Sequence, residues 1–205
     1  MKLYIMRHGQ TAWNKARRLQ GHSNIELNES GIALAKAVGE KVKDIKFDRI
    51  FTSPLKRAKD TAKYVIGKRG IPIIVEEQIK EICFGDWEGR CIKPDQLEVP
   101  EKEFKKFIEK PAEYVPPSGG ESIEHLCQRT ADFVKQLLDN TEYKSETILI
   151  TTHGAAVRAI MHNLLGNDLN DFWLGKVPPN CSLNIFEIEN GEVVSFLQDV
   201  TLEQL

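Results

Sequence analysis

The sequence predicts an α/β protein in which helices cover both faces of a mostly parallel sheet, a three-layer α/β/α sandwich. Short apolar stretches alternate along the chain with longer segments whose apolar residues recur every three or four positions, which is typical of strand–helix units. Near the C-terminus, apolar runs at 182–188 and 193–197 flank Asn190-Gly191, and this pattern predicts a hairpin that makes one sheet edge antiparallel. At this length we expect residues 1–205 to form a single domain.

The first strand and helix are separated by a polar loop. An apolar run at 3–6 predicts a short buried strand, and the segment 14–23 that follows is polar and basic, as expected of a loop at the rim of a site. Asn28 is a favourable N-cap. Because apolar residues then share one helical face, we expect a helix that extends to about Ile45.

A second strand and helix follow at once. Residues 48–52 predict a strand, after which Ser53 is expected to be the N-cap of a helix with Pro54 at its first position. Arg57 would then lie in the first turn, where the helix already favours anions. Residues 71–75 are a further strand candidate.

The second half of the chain contains an insertion and another strand–helix unit. Residues 90–118 combine prolines and lysines with a short helical pattern, and we interpret them as a lid over the site, called below the lid segment. Ser122 is expected to cap a long amphipathic helix. The apolar stretch 147–152 predicts a strand, and His153-Gly154 leads from it into the next helix.

Composition excludes several classes of function. The formal net charge of −2 disfavours a nucleic-acid-binding protein, since these are usually strongly basic. No apolar run is long enough to span a membrane, and the N-terminus runs into a strand without a cleavable signal, so we expect a cytoplasmic protein. The cysteines show no ligand spacing and are expected to be reduced thiols. They are Cys83, Cys91, Cys127 and Cys181.

Two predicted strands end in histidine followed by glycine. The first strand ends in Arg7-His8-Gly9, and the strand at 147–152 ends in His153-Gly154. Ligands of open α/β sheets bind at the carboxyl ends of the strands. Arginine offers a fork of donors for phosphate oxygens, and a neutral histidine can be a nucleophile toward phosphorus. The pattern predicts a phosphate site, although a single strand-end histidine could also be structural.

Five motifs, in order along the chain, carry a resemblance to a known family. They are Arg7-His8-Gly9-Gln10-Thr11 with Asn14, Ser53-Pro54-Leu55-Lys56-Arg57-Ala58 with Thr61-Ala62, Glu81-Ile82-Cys83-Phe84-Gly85-Asp86-Trp87-Glu88-Gly89, Gly119-Gly120-Glu121-Ser122, and Thr152-His153-Gly154. In these motifs the sequence closely resembles the histidine phosphatase superfamily, the phosphoglycerate mutase-like proteins. Its branch of α-ribazole and broad-specificity phosphatases is the most similar.

The resemblance implies a set of catalytic residues. His8 would be the nucleophile that becomes phosphohistidine, and Arg7, Arg57 and His153 would form the phosphate pocket, with His153 as a charged donor. Glu81 would be the general acid, because like-charge repulsion beside a phosphate dianion favours a protonated carboxyl. The same resemblance implies no metal and no cofactor.

Further residues are expected to contact the substrate. Asn14 would donate to the phosphoryl group, Gln20 and Gly21 would line the mouth of the site, and Gly154 would contact the substrate beside His153. We expect the remaining histidines to be bystanders. They are His22, His125 and His162.

Three functions are compatible with these motifs. The first is a phosphomonoesterase acting on a small-molecule phosphate ester, with α-ribazole 5'-phosphate as a candidate, and the second is a phosphoglycerate mutase. The third is a non-catalytic regulator of the same fold. In the mutase branch a tyrosine, a lysine and an adjacent pair of arginines hold the substrate acid. This chain has Phe84 at the tyrosine position and Arg90 as the one arginine of the lid segment, and the lysines of that segment lie among acidic residues. The sequence therefore favours hydrolysis, and it leaves open both the organic half of the substrate and the oligomeric state.

Overall fold

The six strands of the protein form one mixed sheet. The computed structural model describes all 205 residues, and the order of strands across the sheet is β3-β2-β4-β1-β5-β6. The strands are β1 (Lys2–Arg7), β2 (Arg49–Thr52), β3 (Ile73–Val75), β4 (Thr147–Thr152), β5 (Leu183–Glu189) and β6 (Glu192–Val200). The first four strands are mutually parallel, while β5 pairs antiparallel with both β1 and β6. The predicted mostly parallel sheet with an antiparallel edge is confirmed.

Six α-helices connect and cover these strands. They are α1 (Ala12–Lys15), α2 (Glu29–Lys41), α3 (Lys56–Ile66), α4 (Glu101–Glu109), α5 (Ile123–Asp139) and α6 (Gly154–Leu165). Short 3-10 turns complete the chain at Glu77–Ile79, Gly85–Trp87, Pro94–Gln96, Pro111–Glu113, Thr141–Ser145, Leu169–Asp171 and Leu202–Gln204. None of the helices combines the length and apolar character needed to cross a bilayer.

Both faces of the sheet are buried, as β1 shows. Leu3 and Ile5 point to one face and belong to a core shared with α5 and α6, whereas Tyr4 and Met6 point to the other face, against α2 and α3. Successive side chains of a strand alternate between faces, so a run of four apolar residues contributes to two cores. This arrangement confirms the predicted three layers.

The parallel register brings the functional motifs together. Arg7 of β1 pairs with Thr152 of β4, and Thr52 of β2 pairs with Thr151. The residues that follow these strands, His8, Ser53 and His153, therefore emerge at the same edge of the sheet. The structure explains in this way how motifs that are far apart in sequence meet.

Helix α2 ends earlier than the apolar pattern predicted. It stops at Lys41 with Val42 as its C-cap, whereas the prediction extended it to about Ile45. Val42 remains buried and Ile45 still packs against the same core after the chain has turned. The spacing of the apolar residues indicated which of them are buried, but it did not indicate where the helical hydrogen bonds end. The predicted end of α2 was therefore wrong by one turn.

The expected Ser53 cap of α3 was also wrong. The helix begins at Lys56 with Leu55 as its N-cap residue, and its first backbone N–H, from Lys56, donates to Asn24 Oδ1 at 2.8 Å. The Ser53 hydroxyl lies 2.7 Å from His153 Nε2 instead. The hydroxyl group of Ser53 therefore contacts a residue across the sheet edge, whereas the sequence pattern predicted that it would cap the adjacent helix.

The C-terminal hairpin is longer than predicted, while β3 is shorter. Asn190 and Gly191 have φ values of 53° and 86° at the turn, which are the left-handed conformations that a two-residue hairpin needs. Strand β6 continues to Val200, and β3 starts only at Ile73. The two turn residues could be identified from the local sequence, but the number of residues that pair between strands could not.

The lid segment is held by aromatic packing. Phe107 of α4 packs against Phe84, Tyr114 and Trp173, with ring centroids 4.9–5.3 Å apart. The indole N–H of Trp173 also donates to the Phe107 carbonyl oxygen at 2.6 Å. Trp173 comes from outside the lid segment, and no sequence pattern indicated that it would anchor α4.

Candidate active site

A cavity of about 580 Å³ opens at the carboxyl edge of the parallel strands and is lined by 19 residues. Eight of the nine predicted site residues line it: Arg7, His8, Asn14, Gln20, Gly21, Arg57, Glu81 and Gly154. The ninth, His153, is fully buried behind Arg57. The structure thus places the predicted residues in a single site.

His8 is held as a neutral imidazole. Its Nδ1 lies 2.7 Å from the carbonyl oxygen of Gly9, and because a carbonyl only accepts, Nδ1 carries the proton and Nε2 keeps its lone pair. Burial lowers the pKa of His8 well below its ordinary value, and the cations Arg57 and Arg7 lower it further. Nε2 is the atom a phosphoryl acceptor requires.

Arg57 ties the two histidines together. Its Nε donates to His8 Nε2 at 3.2 Å and to His153 Nδ1 at 3.1 Å. Its Nη1 and Nη2 donate to the carbonyl oxygens of Ser23 and Gly21, both at 2.8 Å. Burial lowers the pKa of Arg57 to about 10, so it remains a cation at neutral pH. The guanidinium is fixed on three sides beside the nucleophilic nitrogen.

The charged state expected for His153 is not what the structure shows. Burial, followed by the charge of Arg57, lowers the pKa of His153 well below its ordinary value. Because Arg57 Nε donates to its Nδ1, the proton lies on Nε2, which donates to Ser53 Oγ. His153 is therefore neutral here, and it would become a donor to an anion only by taking up a proton on Nδ1.

Arg7 presents an unpartnered donor to the site. Its Nη1 donates to the carbonyl oxygen of Pro178, but its Nε is buried and has no hydrogen-bond partner within the chain. A Cβ on Gly154 would come within 3.7 Å of this nitrogen. A buried N–H without an acceptor is costly, so this donor indicates that an anion binds here.

The loop at 173–181 positions Arg7 and His8. Asn180 Nδ2 donates to the His8 carbonyl oxygen at 2.9 Å, and the Cys181 N–H donates to the Arg7 carbonyl oxygen at 3.0 Å. The loop therefore holds the backbone of both residues. Sequence reasoning missed this role, although Pro178-Pro179-Asn180 is a turn-forming stretch directly before β5.

A buried ion pair anchors the same loop. Arg158 Nη2 donates to Asp199 Oδ2 at 2.6 Å and to the carbonyl oxygen of Lys176 at 2.9 Å. Arg158 is fully buried and Asp199 is nearly so. Helix α6 and strand β6 thus fix the loop that in turn fixes Arg7, a link that no local sequence pattern indicates.

Glu81 lies at the N-terminus of α6. Its Oε1 accepts from the Ala156 N–H at 3.2 Å, and its Oε2 accepts from the Ala155 N–H at 3.4 Å. The backbone carbonyl of Glu81 accepts from His22 Nε2 at 2.8 Å and from Arg129 Nη2 at 3.0 Å. The expectation that His22 is a bystander was therefore wrong, since it helps to hold the predicted acid.

Thr11 braces the first loop of the site. The Asn14 carboxamide oxygen accepts from the Thr11 N–H at 3.0 Å, and the Thr11 hydroxyl donates to Gln20 Oε1 at 3.0 Å. The oxygen of Asn14 is thereby engaged, while its Nδ2 makes no hydrogen bond within the chain, and Asn14 lines the same cavity. This orientation suits the donor role predicted for Asn14.

The glycines of the site serve packing as well as access. Gly21 has a φ of +49°, and a Cβ there would overlap the Glu88 carboxylate. Gly9 lets the backbone of Gly31 approach, because a Cβ on Gly9 would lie 2.7 Å from the Gly31 carbonyl oxygen. The N–H of Gly9 donates to Thr61 Oγ1 at 2.9 Å.

The outer part of the cavity is apolar. Every lid-segment residue that lines it is apolar: Ile92, Phe104, Phe107 and Ile108. Trp173 and Val177, which sequence reasoning did not identify, complete this wall together with Phe84. Glu81 is the only acidic residue in the lining, and no cluster of three or more His, Cys, Asp or Glu side chains is placed to hold a metal ion.

Acid is expected to destabilise the fold through His8. The pKa of His8 in the folded protein lies below the ordinary value of 6.5. Below about pH 6.5 the unfolded chain therefore binds a proton that the folded chain does not, and the free energy of unfolding decreases as the pH is lowered. One such group contributes about 1.4 kcal/mol per pH unit. Urea unfolding between about pH 6.5 and 5 should show a shallower pH slope in His8→Asn than in the wild type.

The exposed His125 supplies the control for that measurement. It lies on α5 with 69% of its side chain accessible, and His125→Asn should keep the steep slope of the wild type. Equal slopes for the wild type and His8→Asn would contradict a neutral, buried His8.

Comparison with known proteins agrees with this geometry. The family model described as histidine phosphatase superfamily (branch 1) matches residues 3–199. Phosphoserine phosphatase 1 of Hydrogenobacter thermophilus is 31% identical over 201 residues, which cover 98% of this chain and 93% of that protein. Proteins named phosphoglycerate mutase also match.

Solved structures share the fold. The structure of YhfR from Bacillus stearothermophilus superposes with a TM-score of 0.87 at 32% identity, covering 97% of this chain and 96% of that one. The α-ribazole phosphatase of Shigella flexneri gives a TM-score of 0.81 at 26% identity, covering 94% and 93%. The chain therefore belongs to branch 1 of the histidine phosphatase superfamily.

Proposed function

We propose that this protein is a metal-independent phosphomonoesterase that acts through a phosphohistidine on His8. The observation that carries the proposal is the neutral His8, which lines the cavity together with Arg7 and Arg57 and whose Nε2 carries a lone pair 3.2 Å from Arg57 Nε. A relative from Arabidopsis thaliana, 34% identical over 161 residues, is named metal-independent phosphoserine phosphatase, which supports the same chemistry.

In the first half-reaction the phosphoryl group moves to His8. Nε2 attacks phosphorus in line with the leaving oxygen, the bond between phosphorus and that oxygen breaks, and a phosphohistidine forms. Arg57 and the unpartnered Nε of Arg7 stabilise the equatorial oxygens, where charge is spread in the transition state. Glu81 in its protonated form gives its proton to the leaving alkoxide.

In the second half-reaction water replaces the alcohol. The Glu81 carboxylate accepts a proton from water, whose oxygen attacks phosphorus while the bond to His8 Nε2 breaks. Inorganic phosphate leaves and His8 returns to its neutral form. His153, with Nδ1 directed toward Arg57, can take up a proton and donate to the bound phosphoryl group, since a dianion beside it favours the imidazolium.

A phosphoglycerate mutase is the second candidate, because proteins of that name match the chain. A mutase must retain the dephosphorylated acid until it is rephosphorylated. The lid segment contributes only apolar residues to the cavity, and none of its lysines lines it. Without a fixed carboxylate fork, the released alcohol should leave and water should enter. A non-catalytic role is less consistent, because both His8 and Glu81 are present in the site.

Hydrolysis should exceed transfer from 3-phosphoglycerate to 2-phosphoglycerate by about a hundredfold or more, roughly 3 kcal/mol in barrier. Both activities should be measured on one preparation after exhaustive chelation, with an aryl phosphate as the hydrolytic substrate. Mutase turnover comparable to hydrolysis would favour the second candidate. Loss of hydrolysis on chelation, with rescue by a divalent ion, would contradict the metal-independent mechanism.

The substrate is proposed to be a small-molecule phosphate ester whose organic half meets the apolar wall of the cavity. α-Ribazole 5'-phosphate remains a candidate, because a solved α-ribazole phosphatase shares the fold at 26% identity. Phosphoserine phosphatases match at 31% and 34% identity, so esters of small acids are candidates too. We also propose that residues 1–205 act as one domain, with the lid segment over this cavity.

A further inference from the structure

We propose that Arg17 binds a second anionic group, a carboxylate, on the organic half of the substrate. The inference rests on the proposed phosphomonoesterase activity and extends it to the class of ester that is preferred. It assigns Arg17 to specificity and gives it no part in bond breaking.

The charge of the cavity lining exceeds what a phosphoryl group needs. Four arginines line the cavity, Arg7, Arg17, Arg18 and Arg57, against one acidic residue, Glu81. Arg57 is fully buried beside His8, Arg7 directly precedes His8 and is half-buried, and these two cations account for the phosphoryl end. The remaining two cations belong to the loop at the mouth, and their charge is available to another part of the ligand.

Of these two, only Arg17 has a free guanidinium. Arg18 Nη1 donates to the Gly89 carbonyl oxygen at 2.6 Å and pairs with Glu98 Oε2 at 3.2 Å, so its charge is already compensated. Arg17 lines the same cavity, and its side chain makes no hydrogen bond and no ion pair with any residue of the chain. It is the unpaired cation at the mouth.

The backbone holds Arg17 in this place at a cost. Its φ is +51°, a left-handed conformation that is uncommon for residues other than glycine and asparagine. Its N–H donates to the Asn14 carbonyl oxygen at 3.1 Å, and its own carbonyl accepts from the Ile92 N–H at 2.8 Å. The backbone of Arg17 is therefore fixed on one side to Asn14, the predicted hydrogen-bond donor to the phosphoryl group, and on the other side to the lid segment.

The chemistry of the surroundings points to a carboxylate on an apolar spacer. The cavity wall includes the side chains of Phe84, Phe104 and Phe107, which offer apolar contact and no hydrogen bond to the ligand. A guanidinium fork matches a carboxylate in geometry and charge. Because Arg17 is a single exposed side chain and not a buried pair, it selects the acid without retaining the product, which is consistent with hydrolysis.

Two matched pairs of esters test this inference: phenyl phosphate with para-carboxyphenyl phosphate, and propyl phosphate with carboxypropyl phosphate. Within each pair only the carboxylate differs, and the two pairs differ in the distance between the phosphate and the carboxylate. Arg17→Asn removes the charge but keeps a residue that tolerates the left-handed backbone, and Arg17→Lys keeps the charge. Lys15→Gln removes a charge from the end of α1, two residues before Arg17 and outside the cavity lining, and is the matched control.

We expect Arg17→Asn to lower kcat/KM for the carboxylated ester about fivefold more than for its neutral counterpart in at least one pair, as for a single partly exposed ion pair. The loss should lie in KM, and Arg17→Lys should restore most of it. Lys15→Gln should leave the ratio within each pair unchanged. The wild-type preference for the acid should also weaken as ionic strength rises.

Two outcomes have different meanings. If the wild type hydrolyses both neutral esters but Arg17→Asn changes the ratio by less than about twofold in both pairs, the carboxylate subsite is wrong and the phosphomonoesterase stands. If the wild type hydrolyses none of the four esters, the proposed activity fails, and the inference about Arg17 fails with it.

Discussion

Replacing His8 by alanine is expected to abolish phosphoryl transfer, with a loss in kcat of at least about ten-thousandfold. The mechanism proposed above runs through a covalent bond to Nε2, and no other nitrogen of the site is placed to replace it. The neighbouring His153 is fully buried and does not line the cavity, and its Nε2 donates to Ser53 Oγ. Water alone in the pocket would have to attack without a nucleophile of comparable strength.

The measurement is trapping of the phosphoenzyme. Wild type quenched during turnover of a labelled ester should carry acid-labile phosphate, and His8→Ala should carry none. His125→Ala, which removes an exposed histidine from α5, should label like the wild type. Label that persists in His8→Ala would show that another residue is the nucleophile.

The fold of His8→Ala should survive. His8 is 2% exposed, but it belongs to none of the three apolar clusters of the core. The variant also removes an imidazole that is buried next to two cations. A circular dichroism spectrum like that of the wild type would separate loss of chemistry from loss of structure.

Replacing Glu81 by glutamine should slow esters of poor leaving groups by about a hundredfold to a thousandfold. An alkoxide needs a proton as it departs, whereas a nitrophenolate does not, so aryl esters with acidic phenols should lose far less. Glutamine keeps the volume of the side chain. It changes one of the two oxygens that accept from the Ala155 and Ala156 N–H groups into a donor, and it cannot release a proton to the leaving group.

A series of esters with leaving groups of increasing pKa measures this effect. In Glu81→Gln, the dependence of kcat/KM on the leaving-group pKa should become steeper than in the wild type. Glu88→Gln is the matched control, because Glu88 accepts from the N–H groups of His22 and Ser23 and supports the loop of Gly21. Glu88→Gln should lower kcat/KM by a similar factor for all esters of the series. A parallel loss in Glu81→Gln would show that Glu81 only supports the site.

The sequence by itself determined the fold class and the membership of the site. Strand ends such as Arg7-His8 and His153 could be assigned to one place, because the carboxyl ends of parallel strands share one edge of the sheet. The alternation of short apolar runs and amphipathic helices is a local property, and it predicted the strands and most helices. The motifs that resemble the superfamily then supplied the roles proposed for Arg57 and Glu81.

Tertiary structure decided the protonation and the support of that site. The neutral state of His153 follows from its burial behind Arg57, and the partner of Ser53 lies across the sheet edge rather than in the next helical turn. The pKa of a histidine depends on the solvent and charges around it, which the flanking residues do not reveal.

The anchoring of the site was equally beyond the sequence. Trp173 fixes α4, and the Arg158–Asp199 pair fixes the loop that holds Arg7. Each of these contacts joins residues that are tens of positions apart, and none belongs to a repeating local pattern. Local periodicity reports which side of an element is buried, but the partner that buries it, and hence the charge and orientation of each catalytic group, is set only when the elements pack.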